Sequence, residues 1–361
     1  MVRLFALLFA VVSLGAFADE PPVRVSPDIY PGKTWQRIPD PGALGWSPSG
    51  LERFRKEIEG TQASSVFVVY SGKELFEYGT VHKPEFLASV RKSLLSALYG
   101  NYVASGKINL DATLADLGID DIGGLSAKEK RATVRDLLRA RSGVYHPAAN
   151  KGDDSDQAPP RNSQQHGAYY LYNNWDFNAL GTIFEKETGQ DIYEAFEHDI
   201  GAPVGMEDFS ASAQRKEHHD NLSIHPAYHF RMSAADLARV GYLMLRGGKW
   251  DSRQLVPADW VKETTRVSTP LPEMHPEALR KGSVGYGYLW WVWDGDYAKG
   301  PFEGAFTGRG YGGQYVAVMP ELDLVVALET PQKVPHPTTF ADWSRLLHTL
   351  VRARCGSAPC P

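Results

Sequence analysis

The sequence predicts an α/β protein of the α+β type, with an antiparallel sheet built from N- and C-terminal segments, flanked by helices, and a mostly helical lobe inserted between them. Strand-like runs cluster at the two ends: SSVFVVYSGKELFEYG from Ser64, then GYGYLWWVW from Gly285, GAFTGRGYGGQYVAVMP and LDLVVALET. Between them the chain alternates helical periodicity with loops. Its 361 residues suffice for a large core and, at about 100 to 200 residues per domain, for two lobes.

In order along the chain, MVRLFALLFAVVSLGAFADE carries one Arg, an apolar run over 4–14 and Ala16-Phe17-Ala18 before Asp19. That pattern predicts a secretory signal peptide over 1–18, and so a periplasmic or secreted mature protein. An uncleaved anchor is the alternative, but the run is short of the roughly 20 apolar residues that a bilayer span needs. No later stretch is apolar enough to span. Residues 19–47 are rich in Pro and Gly without apolar periodicity, which reads as an extended lead-in. A helix follows over 48–59, with Ser47 as N-cap and Leu51, Phe54 and Ile58 on one face. Two β-rich runs, over 65–70 and 74–78, flank Ser71-Gly72-Lys73 and predict a hairpin.

The middle of the chain reads as a helix opening at Ser89 within 86–106, then as helices in LDATLADLGID (110–120), in SAKEKRATVRDLLRARSG (126–143), in WDFNALGTIFEKETGQ and in DIYEAFEHDIGAPVGM. SAADLARVGYLMLRGG is the cleanest amphipathic helix, capped by Ser233 and stopped by Gly247-Gly248. The polar stretch 146–166 lacks periodicity, and a loop of that length is often functional. A last helix covers 339–354. These elements divide residues 48–352 into a sheet lobe, 48–88 plus 284–352, and a helical lobe, 89–283, with a tail at 353–361. The two cysteines, Cys355 and Cys360, lie in that tail, either closing a small loop in an oxidising compartment or standing as free or intermolecular thiols.

Composition narrows the function. A formal net charge of −5, with no basic block, argues against nucleic acid. The 9 Trp and 17 Tyr fit a walled cleft as well as a bulky core. No G-x-S-x-G elbow, phosphate loop or dinucleotide fingerprint occurs. Glu217-His218-His219-Asp220, with His225 and His229, has the residue types of a metal site, but Pro226 spoils a helical i, i+4 face and no H-E-x-x-H or paired-Cys motif exists. Neither a metal nor an organic cofactor is expected.

The chemistry centres on 86–106, FLASVRKSLLSALYGNYVASG, which puts Ser89 at the mouth of a helix and Lys92 one turn in. Residues three apart share a helix face, so the Lys92 amine can reach the Ser89 hydroxyl. A serine hydroxyl needs such a base to become a nucleophile. The N–H groups and positive dipole end of the first turn would favour an oxyanion. The second piece is Tyr172-Asn173-Asn174, directly before a helical pattern. A Tyr beside a Ser–Lys pair can act as general base and then acid. Asn174 can hold Lys92 or a substrate carbonyl through its amide. The plain alternative for Tyr172 is a core tyrosine with a satisfied hydroxyl.

In this order, Ser89-Val90-Arg91-Lys92, then Tyr172-Asn173-Asn174 leading into N-A-L-G-x-I-x-E, then VAVMPELDLVVAL, the chain resembles the serine β-lactamase and penicillin-binding superfamily. The resemblance covers about residues 48–352 and is closest to the class C-like branch of esterases, D-peptidases and 6-aminohexanoate-dimer hydrolases. It implies a β-lactamase/transpeptidase-like fold and a serine hydrolase, with Ser89, Lys92 and Tyr172 catalytic. The family's third motif, Lys-Thr-Gly or His-Thr-Gly, has no lysine here: the equivalent stretch is Thr307-Gly308-Arg309-Gly310-Tyr311-Gly312-Gly313. Residues Thr307, Gly308, Arg309, Gly310, Tyr311 and Gly312 are therefore the candidates, with Asn174, for the oxyanion or substrate position. A tight hairpin would use the same glycines. Lacking that lysine, the cleft should be walled by aromatics drawn from Tyr169, Tyr170, Trp175, Tyr286, Tyr288, Trp290 and Tyr311, several of which must simply be core, and should prefer small neutral esters or amides. The rival readings are a true β-lactamase or D-peptidase, and a non-catalytic protein that binds peptidoglycan or a partner.

Overall fold

The computed structural model describes residues 28–150, 152 and 154–355. The expected signal segment and Cys360 lie outside the described residues. In chain order the first elements are α1 (Pro48–Glu59), β1 (Ser65–Tyr70), β2 (Lys73–Gly79), β3 (Glu85–Phe86), α2 (Val90–Ala104), α3 (Val134–Leu138), α4 (Asn174–Thr188), α5 (Ile192–Phe196) and α6 (Ala202–Val204). Strands β4 (Arg215–His219), β5 (Ser223–His229) and β6 (Arg231–Met232) precede α7 (Ala234–Leu245), β7 (Lys249–Trp250), β8 (Arg253–Gln254) and α8 (Ala258–Thr264). The chain ends with β9 (Val284–Tyr286), β10 (Trp291–Trp293), β11 (Phe306–Gly310), β12 (Gln314–Met319), β13 (Leu324–Glu329) and α9 (Phe340–Arg352).

The sheet is antiparallel throughout, in the order β2-β1-β13-β12-β11-β10-β9. Its N-terminal hairpin thus adds to the C-terminal strands through β1 and β13, which pair Ser65 with Glu329 and Tyr70 with Leu324. Ser71 and Gly72 make the two-residue turn with φ of 49° and 77°, the left-handed pair that a tight hairpin demands. Strands β12 and β13 are buried along their whole length, as expected of near-continuous apolar runs covered on both faces. Successive residues face opposite sides. Tyr315 stacks on Trp343 of α9, whereas Val316 and Val318 meet α7 at Gly241. Helix α1 packs beside α9 and sets Phe54 on Phe76 of β2. The lead-in is tied to the chain's other end, with Ser47 N donating to Ala353 O and Trp46 fully buried.

Four expectations need correction. LDATLADLGID is not a helix: Thr113 N and Oγ1 both donate to Asp116 Oδ2, and Leu114 N donates to Ala132 O, so local side-chain bonds and a tertiary partner take the donors a helix would use. In 126–143 only α3 and a 3-10 turn at Glu129–Arg131 are helical. GYGYLWWVW is a hairpin rather than one strand, broken where Leu289 takes φ 64°. Helix α7, placed by sequence in the helical lobe, packs on β13, β12 and β1, because Gly241 lets its backbone approach the valines of the sheet. DIYEAFEHDIGAPVGM stays helical through α5, a π-turn at Glu197–Gly201 and α6.

Candidate active site

Strand β3 ends at Phe86, and Leu87 N donates to Phe230 O. Ala88 then takes φ 45°, a conformation that costs a non-glycine residue on the order of 1–3 kcal/mol. That turn throws Ser89 onto the N-terminus of α2. Position 310 has to be glycine here, since a Cβ on it would sit 2.4 Å from Leu87 O.

Lys92 is almost fully buried one turn into α2. Its Nζ lies 2.9 Å from Ser89 Oγ, 2.7 Å from the Tyr172 hydroxyl and 2.7 Å from Asn174 Oδ1. An ammonium has three N–H donors and no acceptor, so these three oxygens complement it. The amine also stands 4.1 Å from the Tyr172 ring centroid and 4.3 Å from that of Phe177. Tyr172 is wedged between Phe177, Tyr286 and Trp291. Asn174 opens α4, and Asn173 caps it by accepting from Trp175 N. Beneath the site Asp176 is fully buried, which pushes its carboxyl well above the usual range, and Ser142 Oγ lies 2.5 Å from it.

Two cavities meet at this cluster. One, of about 470 Å³, is lined by Phe86, Arg91, Asn150, Glu217 and His229, among others. The second, of about 330 Å³, is lined by Trp291, Arg309, Gly310, Tyr315 and Phe340, among others. Ser89, Tyr172 and Tyr311 line both. Tyr311, 77% exposed, stands on the turn between β11 and β12 as a ridge between them. Arg309 lies over the rings of Trp291 and Phe340. In the first cavity His229 Nε2 is 2.8 Å from Glu217 Oε2; burial, with the Arg91 charge second, pushes its imidazole down to about 4.

Ser89, Lys92, Tyr172 and Asn174 are thus brought together, and Arg309, Gly310, Tyr311 and Gly312 line the second cavity. Thr307 and Gly308 are not at the cleft: both are buried in β11, and Gly308 lies under the first turn of α2, where a Cβ would stand 3.2 Å from Ser93 Oγ and 3.3 Å from Val90 Cγ1. The aromatic wall also needs revising. Tyr170, Trp175, Tyr286, Tyr288 and Trp290 are core residues, and Tyr169 stacks on His275. Trp291, Tyr315, Phe340 and Phe86 line the cavities instead; successive residues of a strand face opposite sides, which turns Trp291 of β10 and Tyr315 of β12 to the cleft, and Phe340 joins them from the start of α9. Sequence reasoning passed over Asn150 and Asn178; the latter, four residues after Asn174, shares its helix face. Glu217 bridges His219 and His229, and among the described residues no three His, Cys, Asp or Glu side chains are grouped to hold a metal ion.

A family model described as Beta-lactamase matches residues 54–350. The monacolin J acid methylbutanoyltransferase of Aspergillus terreus is 30% identical over 167 residues, which is 38% of this chain and 40% of that protein. The chain thus spans well under half the length of this curated relative. Among solved structures, a Bacillus anthracis protein provisionally assigned as a 6-aminohexanoate-dimer hydrolase superposes with TM-score 0.66 at 17% identity, covering 88% of this chain and 87% of that one. A penicillin-binding protein homologue from Caulobacter crescentus gives TM-score 0.62 at 16% identity, covering 86% and 99%. At these identities the likeness is one of fold.

Proposed function

Because this chain belongs to the beta-lactamase family, we propose that it is a serine hydrolase cleaving an ester or amide bond through an acyl-enzyme on Ser89. The observation that carries the reading is the single Lys92 amine in hydrogen-bond contact with Ser89 Oγ, the Tyr172 hydroxyl and Asn174 Oδ1. Ser89 Oγ bonds to the substrate carbonyl carbon as its proton passes to the Lys92–Tyr172 pair. That proton then goes to the departing alkoxide or amine. Water repeats the sequence, with Tyr172 taking its proton and Ser89 Oγ receiving one as the acid leaves. The Ser89 N–H, at the helix start, and an N–H of the 310–312 turn are the oxyanion donors in this scheme. No metal or organic cofactor is called for.

Since Ser89 stands where two cavities join, the substrate in this proposal is a small linear ester or amide with one arm in each. The reaction is proposed to run in the periplasm or outside the cell, a reading supported by the signal-peptide pattern of the N-terminal sequence. A second reading, acyl transfer to an alcohol instead of water, is favoured by the second cavity, which could hold an acceptor, and by the transferase name of the curated relative.

The test is intact mass after exposure to a fluorophosphonate, with turnover of short-chain p-nitrophenyl esters, small linear amides and a cephalosporin. The expected result is one adduct on Ser89, measurable ester or amide hydrolysis, and weak or absent β-lactam turnover. Ser89→Ala should lose adduct and turnover with its melting temperature nearly unchanged, since a cleft hydroxyl contributes little to stability. Turnover within tenfold of wild type in that variant would remove Ser89 from the mechanism. Efficient cephalosporin hydrolysis with little ester activity would make the protein a β-lactamase proper.

A further inference from the structure

Arg91 and Lys92 are consecutive on α2, and both are buried in the first helical turn. Two cations at the positive end of a helix dipole oppose the field there, so each needs an acceptor held firmly in place. Lys92 Nζ donates to Asn174 Oδ1 at 2.7 Å, and Arg91 Nη2 donates to Asn178 Oδ1 at 2.9 Å. The Arg91 guanidinium also lies 4.2 Å from the Tyr228 ring centroid. Asn174 and Asn178 sit four residues apart on α4, so both amides face α2.

An amide can turn either its oxygen or its nitrogen towards a partner, and one residue decides this for both. Asn174 Nδ2 donates to Asn150 O at 3.1 Å, and Asn178 Nδ2 donates to Asn150 Oδ1 at 3.1 Å. With their nitrogens engaged by Asn150, both asparagines present oxygen to a cation. Flipped, either would point N–H at N–H. The same loop presses on Asn174 at Gly152, where a Cβ would stand 3.2 Å from Asn174 Cγ. Asn150 and Gly152 also line the larger cavity, so the loop touches both the amide pair and the space for substrate.

We propose that Asn150, Asn178 and Arg91 are positioning residues for the reaction: the hydrogen-bonded chain Lys92–Asn174–Asn150–Asn178–Arg91, closed through the α2 backbone, holds the Lys92 amine on Ser89 and Tyr172. This makes Asn150 and Gly152, in the polar stretch before Tyr172, a working part of the site. The inference rests on the Ser89 acyl-enzyme reading.

The test uses the mature protein, a short-chain p-nitrophenyl ester and fluorophosphonate labelling. Asn150→Ala removes the acceptor for Asn178 but keeps the main-chain oxygen for Asn174. Asn178→Asp keeps the acceptor for Arg91 but removes the donor to Asn150. Each should lower kcat by about 10- to 100-fold, the cost of a slightly misplaced catalytic group, with KM within about threefold and a displaced pH profile of kcat. Because both break one bond, the double variant should be no worse than the poorer single one. Asn150→Asp, which keeps an acceptor, should restore kcat to within about threefold of wild type. Asn150→Ala within twofold of wild type, a loss confined to KM, or additive losses would overturn the proposal. Should Asn150→Ala lose its melting transition, Asn178→Asp decides by the same kcat, KM and pH criteria. A wild-type protein that takes no adduct on Ser89 would instead sink the acyl-enzyme reading, a distinguishable failure.

Discussion

Lys92 is almost fully buried, and the three oxygens its amine contacts are given three different tasks by the proposed function. In the proposed reaction Ser89 is the nucleophile, Tyr172 the proton carrier and Asn174 the anchor. Hydrogen bonds from a charged donor contribute about 1.5–3 kcal/mol each, enough to hold a flexible four-carbon stem in one rotamer. If Lys92 and Tyr172 handle one proton between them, Tyr172→Phe and Lys92→Ala should each reduce kcat by several powers of ten. The double variant should then lose little more, since members of one unit are non-additive. Steady-state kinetics on the three variants checks this, and additive losses would show two separate roles.

At the scale of elements, the site depends on α2 being able to start where β3 stops. The left-handed Ala88 makes the turn, Gly310 leaves room for the Leu87 carbonyl, and Gly308 lets the first turn of α2 lie on β11. On the same face α7 uses Gly241 in the same way: a Cβ there would stand 2.5 Å from Val325 Cγ1 and 3.0 Å from Val316 Cγ2. Gly241→Val should therefore overpack the helix against the sheet and destabilise the protein by about 1–3 kcal/mol. A lower urea midpoint with an unchanged slope would show it; an unchanged midpoint would mean that α7 can slide outward at no cost.

For the whole molecule, the join between the two chain ends is also where a carboxylate is buried. Glu329 closes β13 opposite Ser65, whose Oγ donates to its Oε2 at 3.0 Å, while Oε1 has no hydrogen-bond partner among the described residues. Burial pushes this carboxyl well above its ordinary range. In the unfolded chain it ionises near its ordinary value, so its favourable contribution is complete below that value and is lost as pH rises towards the folded one. The slope is about 1.4 kcal/mol per pH unit over that window. Glu329→Gln, which cannot ionise, should match wild type in acid and become progressively more stable than it as pH rises above the ordinary carboxylate range. Melting temperatures of the pair across pH measure this, and a constant difference would exclude the titration of Glu329 as its source.

The sequence by itself determined what depends on neighbours along the chain. Strand runs at both ends and helices between them reflect local periodicity, and they were enough to predict an antiparallel sheet closed from both termini. Ser89 and Lys92 were legible because three residues on a helix are one turn, and Tyr172 and Asn174 because they sit together at the start of α4. The tertiary structure alone decided which face each residue of β11 presents, since that follows from pairing with β12 and from α2 lying on Gly308. It also sent most of the expected wall aromatics into the core and moved α7 onto the sheet. The link through Asn150 had no signature either: a lone asparagine in a polar loop is silent until folding brings it against Asn174, 24 residues on, and Asn178, 28 residues on. Contacts across such distances depend on how the elements pack, which local spacing does not encode.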